Sequence, residues 1–344
     1  MKTVLVTGAG GYIGSVLVPK LLADGYSVKA IDRYFFGRDS LSEHENLQIL
    51  QEDTRRIPKD LFDSVDFVID LVAISNDPSG ELFQEATWQI NYESRARTAR
   101  LSKECGVQRY ILPSSCSIYG FQEEKVDEEA ATNPLTTYAR ANEKAEQEVL
   151  KLSDGDFCVA VMRQATVYGY SRRMRFDLAV NGMTYGAWKT GKLPLMRDGK
   201  QSRPMVHIDD TTDVMLLLLQ EDKGPINGQI FNVGSDENNY NIERLGHTIA
   251  SLVGERLGKN IEIEWYGDPD HRSYIVNFDK IEKTLNWKAK YDAEFGGNQI
   301  IDYLMTGELD RTAVTITLEW YKELEKWLRI IRETEMYGGM LNIE

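Results

Sequence analysis

The sequence predicts an α/β protein in which a doubly wound parallel sheet is accompanied by a smaller α/β lobe. Short apolar runs alternate along the chain with stretches of helical periodicity, which is the pattern of parallel strands joined by crossover helices. One run, residues 66–72 (DFVIDLV), is almost continuously apolar, as expected of a strand covered by helices on both faces. The 344 residues are enough for one large unit or for two lobes with a full core.

The first predicted element is a strand at residues 4–6, which leads into a loop with three glycines and then a helix. The glycines are Gly8, Gly11 and Gly14. A loop of this kind presents backbone N–H groups at the positive end of a helix dipole, where a pyrophosphate binds. A plain strand-to-helix turn is the alternative interpretation.

A second predicted strand, residues 26–31, ends at Asp32, which is about 20 residues beyond the glycines, as in dinucleotide-binding folds. A carboxylate at this point can accept hydrogen bonds from the adenosine ribose and would repel a 2′-phosphate. We therefore expect NAD rather than NADP, although the neighbouring Arg33 leaves the choice open. The alternative for Asp32 is a solvated strand end.

Four further strands complete the first half of the chain. They are predicted at residues 47–50, 66–72, 108–112 and 158–163, with helices at residues 83–105 and 138–151. In a parallel sheet, ligands bind beyond the carboxyl ends of the strands. Asp53, Ala73, Ser115 and Thr166 each follow such an end, so we expect the ligand site along this edge.

The chain changes character after residue 169, where helical segments alternate with shorter extended ones. We predict a dinucleotide-binding domain at residues 1–169, to which helices and a strand from the C-terminal half can return. Residues 170–317 form the smaller lobe, and residues 318–344 form an amphipathic helix and tail. We expect this helix to dock on its own domain, with a dimer contact as the alternative.

Composition excludes several classes of function. Forty Lys and Arg residues stand against 54 Asp and Glu, and the net charge of −14 argues against a nucleic-acid surface or an anionic membrane as partner. Three cysteines without CxxC spacing predict neither a disulfide framework nor a metal site. Because we find neither a signal peptide nor an apolar run of about 18 residues, we expect a cytoplasmic protein.

Two segments suggest catalysis. Ser114 and Ser115 end a strand, and Tyr138 begins a helix. A tyrosine hydroxyl can act as general base toward a sugar hydroxyl if its pKa falls from roughly 10 toward the working pH. A neighbouring serine can steady the charge that develops on the substrate oxygen. The alternative is a turn serine and an aromatic residue that merely begins a helix.

Several segments resemble the extended short-chain dehydrogenase/reductase family, and within it the NAD-dependent epimerase/dehydratase branch that modifies nucleotide sugars. They are TGAGGYIG, SSCSIYG, RQATVYG and RPMVHIDD, together with Asp32 and Tyr138. The resemblance covers residues 1–304 and implies a Rossmann fold, an NAD cofactor, a nucleotide-diphosphate sugar as substrate and a homodimer. The runs RMRFDLAVNGMTYGA and DPDHRSY are similar to bacterial enzymes of surface-polysaccharide synthesis, including C4 dehydrogenases of nucleotide-linked heptoses.

The resemblance implies three groups of site residues. Those for the cofactor are Gly8, Gly11, Tyr12, Ile13, Gly14, Asp32, Arg33, Asp53, Thr54, Leu71, Ala73, Asn91 and Ser114. Those for the substrate are Cys116, Ser117, Thr166, Arg175, Asn181, Arg203 and Arg272. The catalytic group is Ser115, Tyr138 and Asn142. Arg203 and Arg272 are expected on the substrate diphosphate, where a guanidinium makes bidentate bonds; surface ion pairing is the alternative.

One departure from the family pattern concerns catalysis. The family has Tyr-x-x-x-Lys, and this chain has Asn142 where the lysine should stand. In the family that lysine binds the nicotinamide ribose and lowers the pKa of the tyrosine. Lys144, six positions after Tyr138, points off the active face of the helix. Losing a nearby cation raises the tyrosine pKa by about one unit, or about 1.4 kcal/mol. The sequence therefore predicts a slowed or specialised oxidoreductase, in which the positive ring of the oxidised cofactor replaces part of the missing field.

A second departure narrows the reaction. In 4,6-dehydratases of the family an Asp-Glu pair follows the Ser or Thr, but this chain has Cys116 and Ser117. Neither side chain is a ready acid or base at neutral pH, so a dehydratase is disfavoured. A 4-epimerase or a C4 dehydrogenase remains. The alternatives are a catalytically weak NAD-binding sensor or scaffold, and a reductase of a non-nucleotide carbonyl compound.

Overall fold

The computed structural model describes residues 1–268 and 272–334. Within them the strands are β1 Thr3–Thr7, β2 Ser27–Asp32, β3 Leu47–Gln51, β4 Phe67–Asp70, β5 Arg109–Ser115, β6 Phe121–Val126, β7 Cys158–Gln164, β8 Thr166–Tyr168, β9 Lys192–Met196, β10 Ser202–His207, β11 Gln229–Val233, β12 Asn239–Asn241, β13 Glu262–Tyr266 and β14 Ser273–Val276. The helices are α1 Gly14–Ala23, α2 Asp77–Leu82, α3 Gln84–Trp88, α4 Arg95–Glu104, α5 Thr137–Leu150, α6 Ala179–Thr190, α7 Ile208–Gln220, α8 Lys223–Ile226, α9 Ile242–Leu257, α10 Asp279–Leu285, α11 Ala293–Thr306 and α12 Thr317–Thr334.

Seven strands form the main sheet in the order β11-β7-β5-β4-β1-β2-β3, and every neighbouring pair is parallel. The chain winds outward from β1 in one direction to β3 and then in the other from β4. The strand order therefore reverses between β1 and β4, which is the doubly wound Rossmann arrangement predicted from the sequence. Ligands bind in the crevice at such a reversal, beyond the carboxyl ends of the strands.

The apolar strands hold the two faces of the sheet together. Side chains of a strand alternate between faces, so Val4 and Val6 pack into one core cluster and Leu5 into another. All three side chains are fully buried. Helices cover both clusters, which is why β1 and β4 read as nearly continuous apolar runs.

The C-terminal half of the chain contributes to both lobes. Strand β11 lies at the edge of the main sheet beside β7, although residues 230–233 belong to the part of the sequence assigned to the smaller lobe. The smaller lobe has the sheet β12-β10-β8 and the pair β13-β9. Its own core cluster packs α6, α9 and α11 against these strands.

The predicted helix at residues 83–105 is interrupted by a turn of π-helix. Helix α3 continues through a π segment, Gln89–Ser94, into α4. Single π turns inside α-helices occur frequently at functional sites, where they change which way the following side chains point. Arg95 is the first residue after this π segment.

Helix α12 packs against residues of the first half of the chain. The indole Nε1 of Trp320 donates to the carbonyl oxygen of Phe35 at 2.5 Å. The ring of Tyr321 lies 5.6 Å from that of Phe36 and 6.1 Å from that of Phe83. Among the helices within the described ranges, α12 included, none has the length and apolarity that a bilayer span requires. Residues 335–344 of the predicted tail lie outside the described residues.

Candidate active site

A cavity of about 1520 Å³ follows the carboxyl edge of the main sheet. Small-molecule sites are typically 300–1,000 Å³, so this cavity has room for a dinucleotide together with a second ligand. The glycine loop after β1 forms one end of the wall, and β9, β10 and the segment before β14 form another. Side chains of α12 line the part that lies over Asp32 and Phe36.

The glycine loop forms a cradle that larger residues would block. Gly8 has φ +65°, a conformation that favours glycine, and a Cβ there would lie 2.8 Å from the backbone nitrogen of Val72. A Cβ on Gly14 would lie 2.5 Å from the carbonyl oxygen of Ala9, so helix and strand can approach closely only with glycine. A Cβ on Gly11 would meet only the oxygen of Gly8 and would otherwise fill the cavity. This cradle fits the pyrophosphate of a dinucleotide.

Asp32 lies at the end of β2 with its carboxylate on the cavity wall. It accepts hydrogen bonds from the backbone N–H of Gly10 at 3.0 Å and of Tyr34 at 2.8 Å. Burial raises its pKa, and these backbone hydrogen bonds oppose that effect. Arg33 forms an ion pair with Asp53 at 3.4 Å. Because the charge of Arg33 is paired with Asp53, Asp32 is the side chain at this point of the wall that is left to accept hydrogen bonds from a ribose. This fits NAD.

Tyr138 and Ser115 both lie on the cavity wall. Thr136 caps α5 by accepting from the N–H of Ala139 at 3.1 Å, which starts the helix beside the end of β5. Burial raises the pKa of Tyr138, and the negative charge of Asp77 raises it further. A hydrogen bond with the Ser115 hydroxyl lowers it. The net effect of these groups is a pKa above the ordinary value of a tyrosine.

Two arginines add positive charge around this phenol. Both Arg95 and Arg175 lower the pKa of Tyr138 through their charges. Arg175 is buried and forms an ion pair with Asp177 at 2.8 Å. Arg95 lines the cavity and donates from Nη1 to Oδ1 of Asn142 at 2.7 Å. The cavity wall therefore carries cations that act on Tyr138, although position 142 has none.

The predicted substrate arginines lie at the other end of the cavity. Arg203, on β10, donates to the carbonyl oxygen of Ser202 at 3.0 Å and also to that of Arg272. The guanidinium of Arg272 forms an ion pair with Asp77. In a protein of net charge −14, such a concentration of arginines marks a site for an anion. Residues 269–271 of the DPDHRSY motif lie outside the described residues.

Most predicted site residues line this cavity. They are Gly8, Gly11, Tyr12, Ile13, Gly14, Asp32, Arg33, Asp53, Thr54, Leu71, Ala73, Ser114, Ser115, Ser117, Tyr138, Thr166, Arg175, Arg203 and Arg272. Asn91, Cys116, Asn142 and Asn181 are not among the lining residues. All four are buried behind the wall.

Each of these four buried residues makes contacts that hold the wall in place. Asn91 bonds both backbone groups of Ile74, at 2.8 and 3.0 Å, and thereby fixes the loop after β4. The thiol of Cys116 donates to the carbonyl oxygen of Arg163 at 3.1 Å, and burial raises its pKa. Asn181 accepts a hydrogen bond from the N–H of Gly169 at 3.0 Å. Its Nδ2 donates to the hydroxyl of Tyr12 and to the carbonyl oxygen of Arg175.

Sequence reasoning missed three charged residues of the site: Asp77, Arg95 and Asp177. Asp77 and Asp177 lie beside predicted residues, but only their ion pairs with Arg272 and Arg175 mark them as part of the site. Arg95 lies within a helix with three other basic residues, Arg97, Arg100 and Lys103. Its burial distinguishes it from Arg97 and Arg100, and burial is not visible in the sequence pattern.

The fold and the site together define a class of protein. A Rossmann domain with a glycine loop after its first strand, an aspartate at the end of its second strand and a serine and a tyrosine at the sheet edge is a short-chain dehydrogenase/reductase. More particularly, residues 4–234 match the NAD dependent epimerase/dehydratase family, and the chain belongs to that family. This confirms the family expected from the motifs and NAD as its cofactor.

Known proteins of several activities are similar to this chain. UDP-glucuronic acid decarboxylase 1 of Danio rerio is 26% identical over 91% of this chain and 74% of its own length. UDP-glucuronate 4-epimerase of Thermodesulfobacterium geofontis is 24% identical over 87% of this chain and 95% of its own. The crystal structure of UDP-glucuronic acid 4-epimerase from Bacillus cereus, solved with UDP-glucuronic acid and NAD, has a TM-score of 0.79 at 22% identity. It covers 88% of this chain and 99% of its own.

Proposed function

We propose that the protein is an NAD-dependent oxidoreductase acting at C4 of a nucleotide-activated sugar, either as a 4-epimerase or as a C4 dehydrogenase. The observation that carries the proposal is that Tyr138 and Ser115 line one cavity together with Arg203 and Arg272. The first two side chains suit proton transfer at a sugar hydroxyl, and the arginines suit a diphosphate. Relatives named as 4-epimerases of UDP-glucuronate support this assignment.

In the proposed reaction Tyr138 acts as general base. Its phenolate takes the proton of the C4 hydroxyl, while Ser115 donates a hydrogen bond to the same oxygen and steadies its charge. When bound, NAD supplies the hydride acceptor at C4. Burial and Asp77 hold the pKa of Tyr138 up, and Ser115, Arg95 and Arg175 draw it down. The same group serves as the acid when the proton is returned in the reverse transfer.

The substrate would be anchored through its diphosphate. Arg203 and Arg272 lie next to each other on the wall, with a hydrogen bond from the first guanidinium to the backbone of the second. Paired guanidinium groups recognise phosphate oxygens by charge and by directed N–H donors. A sensor of the bound cofactor, or a reductase of a simple carbonyl compound, has no need of such a pair.

We propose further that the reaction is not a dehydration. Cys116 is buried behind the wall, and burial raises the pKa of its thiol, so this group is neither exposed nor ionised at neutral pH. Ser117 lines the cavity, but an alkyl hydroxyl is a poor acid and a poor base. Asp77, a carboxylate on the wall whose charge acts on Tyr138, is held by Arg272 and by the hydroxyl of Thr136.

The test uses a panel of UDP- and GDP-sugars with the purified full chain. An epimer formed at constant absorbance of the cofactor identifies an epimerase, and net NADH identifies a dehydrogenase. We expect Tyr138→Phe to reduce turnover by about 10²- to 10⁴-fold, while NADH binding, followed by fluorescence, stays unchanged. Tyr303→Phe, on α11, is the control. A Tyr138→Phe variant as active as this control, or no turnover of any nucleotide sugar, contradicts the proposal.

We also propose that the protein works in the cytoplasm as a homodimer, within the synthesis of a surface polysaccharide. The resemblance to the family suggests a dimer contact made by two helices of each subunit, one of them α5, which carries Tyr138. Light scattering of the purified protein measures its mass directly. A monomer at micromolar concentration would contradict the dimer.

A further inference from the structure

We propose that Arg95 supplies the positive charge of the Ser115–Tyr138 site, and that Asn142 serves as a positioning residue that orients the Arg95 guanidinium. The family pattern places the cation on the helix of the tyrosine, which is α5 in this protein. Here the cation lies on the neighbouring helix α4. This inference rests on the proposed function for its kinetic consequences. Its structural basis is independent of the substrate.

Two hydrogen bonds fix the guanidinium of Arg95 at the cavity wall. Its Nε donates to the carbonyl oxygen of Val72 at 2.9 Å, and its Nη1 donates to Oδ1 of Asn142 at 2.7 Å. The residue is only 2% exposed, yet it lines the cavity. Among residues 1–268 and 272–334 it forms no ion pair with a carboxylate, and Nη2 makes no hydrogen bond. A buried charge without a counter-ion is costly, so its presence points to a ligand.

The side-chain oxygen of Asn142 accepts a hydrogen bond from the guanidinium of Arg95. Arg95 carries only N–H donors, so the oxygen of the Asn142 side-chain amide must face it and Nδ2 must point elsewhere. Asn142 is 1% exposed and does not line the cavity, whereas Arg95 does. A neutral acceptor at this position orients a guanidinium without cancelling its charge. A lysine here would place a second cation against the first.

The other lysine of this helix does not fill the role. Lys144 forms an ion pair with Glu148 at 3.4 Å, one turn further along α5, and its side chain is 39% exposed. This agrees with the expectation that its position faces away from Tyr138. The π segment at residues 89–94 directly precedes Arg95 and sets the direction in which it leaves its helix.

Charges from every neighbouring element act on Tyr138. Asp77 of α2 raises its pKa, whereas Arg95 of α4 and Arg175 of the loop before α6 lower it. Ser115, at the end of β5, lowers it through a hydrogen bond. Glu81, also on α2, is engaged with the N–H of Thr137 at the start of α5.

The titratable groups behind Arg95 are engaged with one another. The hydroxyl of Tyr110 on β5 donates to Asp70 on β4, and it also lies 3.2 Å from the backbone oxygen of Arg95. Asp70 accepts from the hydroxyls of Tyr110 and Thr7 and forms no ion pair with Arg95. Arg95 lines the cavity, where its charge acts on Tyr138.

Four variants separate the charge of Arg95 from its structural role. Arg95→Gln removes the charge. Asn142→Asp keeps the size of the side chain and the hydrogen bond from Arg95 but cancels the charge, and should fold normally. Arg95→Gln combined with Asn142→Lys returns the cation to α5, four residues from Tyr138 and on its face of the helix. Arg100→Gln, on the exposed side of α4, is the control for an unrelated loss of charge.

The expected result follows from the sign of the charge. A nearby cation favours the phenolate, so removing or cancelling it raises the pKa of the acidic limb of the pH–rate profile by about one unit. Below that pKa each unit lowers the rate about tenfold, because the rate follows the phenolate fraction. Arg95→Gln and Asn142→Asp should both behave in this way. The rate of the double variant should return to within about threefold of the rate of the natural protein. The rate of Arg100→Gln should equal that of the natural protein.

Binding of NADH, measured by fluorescence without any turnover, gives a second readout. Arg95→Gln should weaken NADH binding about fivefold because the cavity loses its buried guanidinium, whereas Arg100→Gln should not. The proposal is overturned if Arg95→Gln and Arg100→Gln have the same pKa for the acidic limb of the pH–rate profile, or the same affinity for NADH. It is also overturned if the double variant keeps the limb pKa of Arg95→Gln. If the natural protein turns over no nucleotide sugar, the proposed function fails and NADH binding alone decides the role of Arg95.

Discussion

Arg272, from the smaller lobe, forms an ion pair with Asp77 at the start of α2, inside the cavity. This contact joins the two lobes across the site and connects the region expected to bind the diphosphate to the neighbourhood of Tyr138, the proposed base. Asp77 also accepts a hydrogen bond from Thr136, which caps the helix of Tyr138, at 2.5 Å. A ligand that draws Arg272 away from Asp77 therefore changes the charge balance around Tyr138.

Asp77→Asn tests this connection. Asp77 raises the pKa of Tyr138 by its negative charge, so removing that charge should move the acidic limb of the pH–rate profile to lower pH. We expect a shift of about half a unit to one unit, seen as a relative gain of rate at acidic pH. Glu93→Gln, an exposed change of the same charge on the neighbouring π segment, is the control. A limb that stays in place, or moves upward, contradicts the connection.

Arg203→Met tests the diphosphate site. Hydrogen bonds to charged groups contribute about 1.5–3 kcal/mol, so we expect UDP or GDP, whichever the protein binds, to bind at least tenfold more weakly. The corresponding nucleoside should bind equally to both proteins, because it lacks the phosphates. Calorimetric titration measures both affinities. Arg244→Met, an exposed change on α9 of the same lobe, is the control. Equal loss of nucleoside and nucleotide binding would exclude a phosphate contact.

Gly14→Ala tests the close approach of α1 to the glycine loop. The added Cβ would lie 2.5 Å from the oxygen of Ala9 and 2.6 Å from that of Gly8, and backbone cannot yield cheaply. We expect a loss of about 1–3 kcal/mol in the free energy of unfolding, with weaker NADH binding because the loop is displaced. Urea unfolding and fluorescence titration measure these effects. Gly155→Ala, where nothing lies within 4 Å of the new Cβ, should be neutral. Stability equal to that of the control would refute the packing argument.

The carboxyl group of Asp210 predicts a pH dependence of stability. Burial raises its pKa to about 6. Hydrogen bonds from the backbone N–H groups of Lys290 and Tyr291 oppose this effect, because they favour the charged form. Between about pH 4 and pH 6 the folded state therefore holds a proton that the unfolded state has lost, and stability falls as pH rises through this window. Its contribution to that fall is about 2 kcal/mol.

Asp210→Asn removes this titration. Urea unfolding between pH 4 and pH 6 should give a flatter dependence of stability on pH in the variant, whatever its absolute stability. Asp24→Asn, at an exposed position, should keep the slope of the natural protein. A slope unchanged by Asp210→Asn would show that other groups cause the pH dependence.

Much of the fold could be predicted because it is encoded over short distances. The apolar runs at β1, β4 and β5 and the glycines between β1 and α1 lie within single elements, and their spacing is sufficient to identify them. The positions of Asp32, Ser115 and Tyr138 follow from the ends of those elements. Strand β11 was harder to assign, since a short apolar run does not reveal which sheet it joins; its pairing with β7 is a long-range contact.

The sequence by itself determined the Rossmann fold, the NAD cradle and the serine–tyrosine pair, because each depends on a local pattern of residues. Only the tertiary structure decided where the positive charge of the site comes from. Arg95 and Asn142 are 47 positions apart, and nothing in the periodicity of either helix predicts that their side chains meet. Such a contact depends on how two helices pack and on which arginine of α4 turns inward, and packing is a property of the folded chain as a whole.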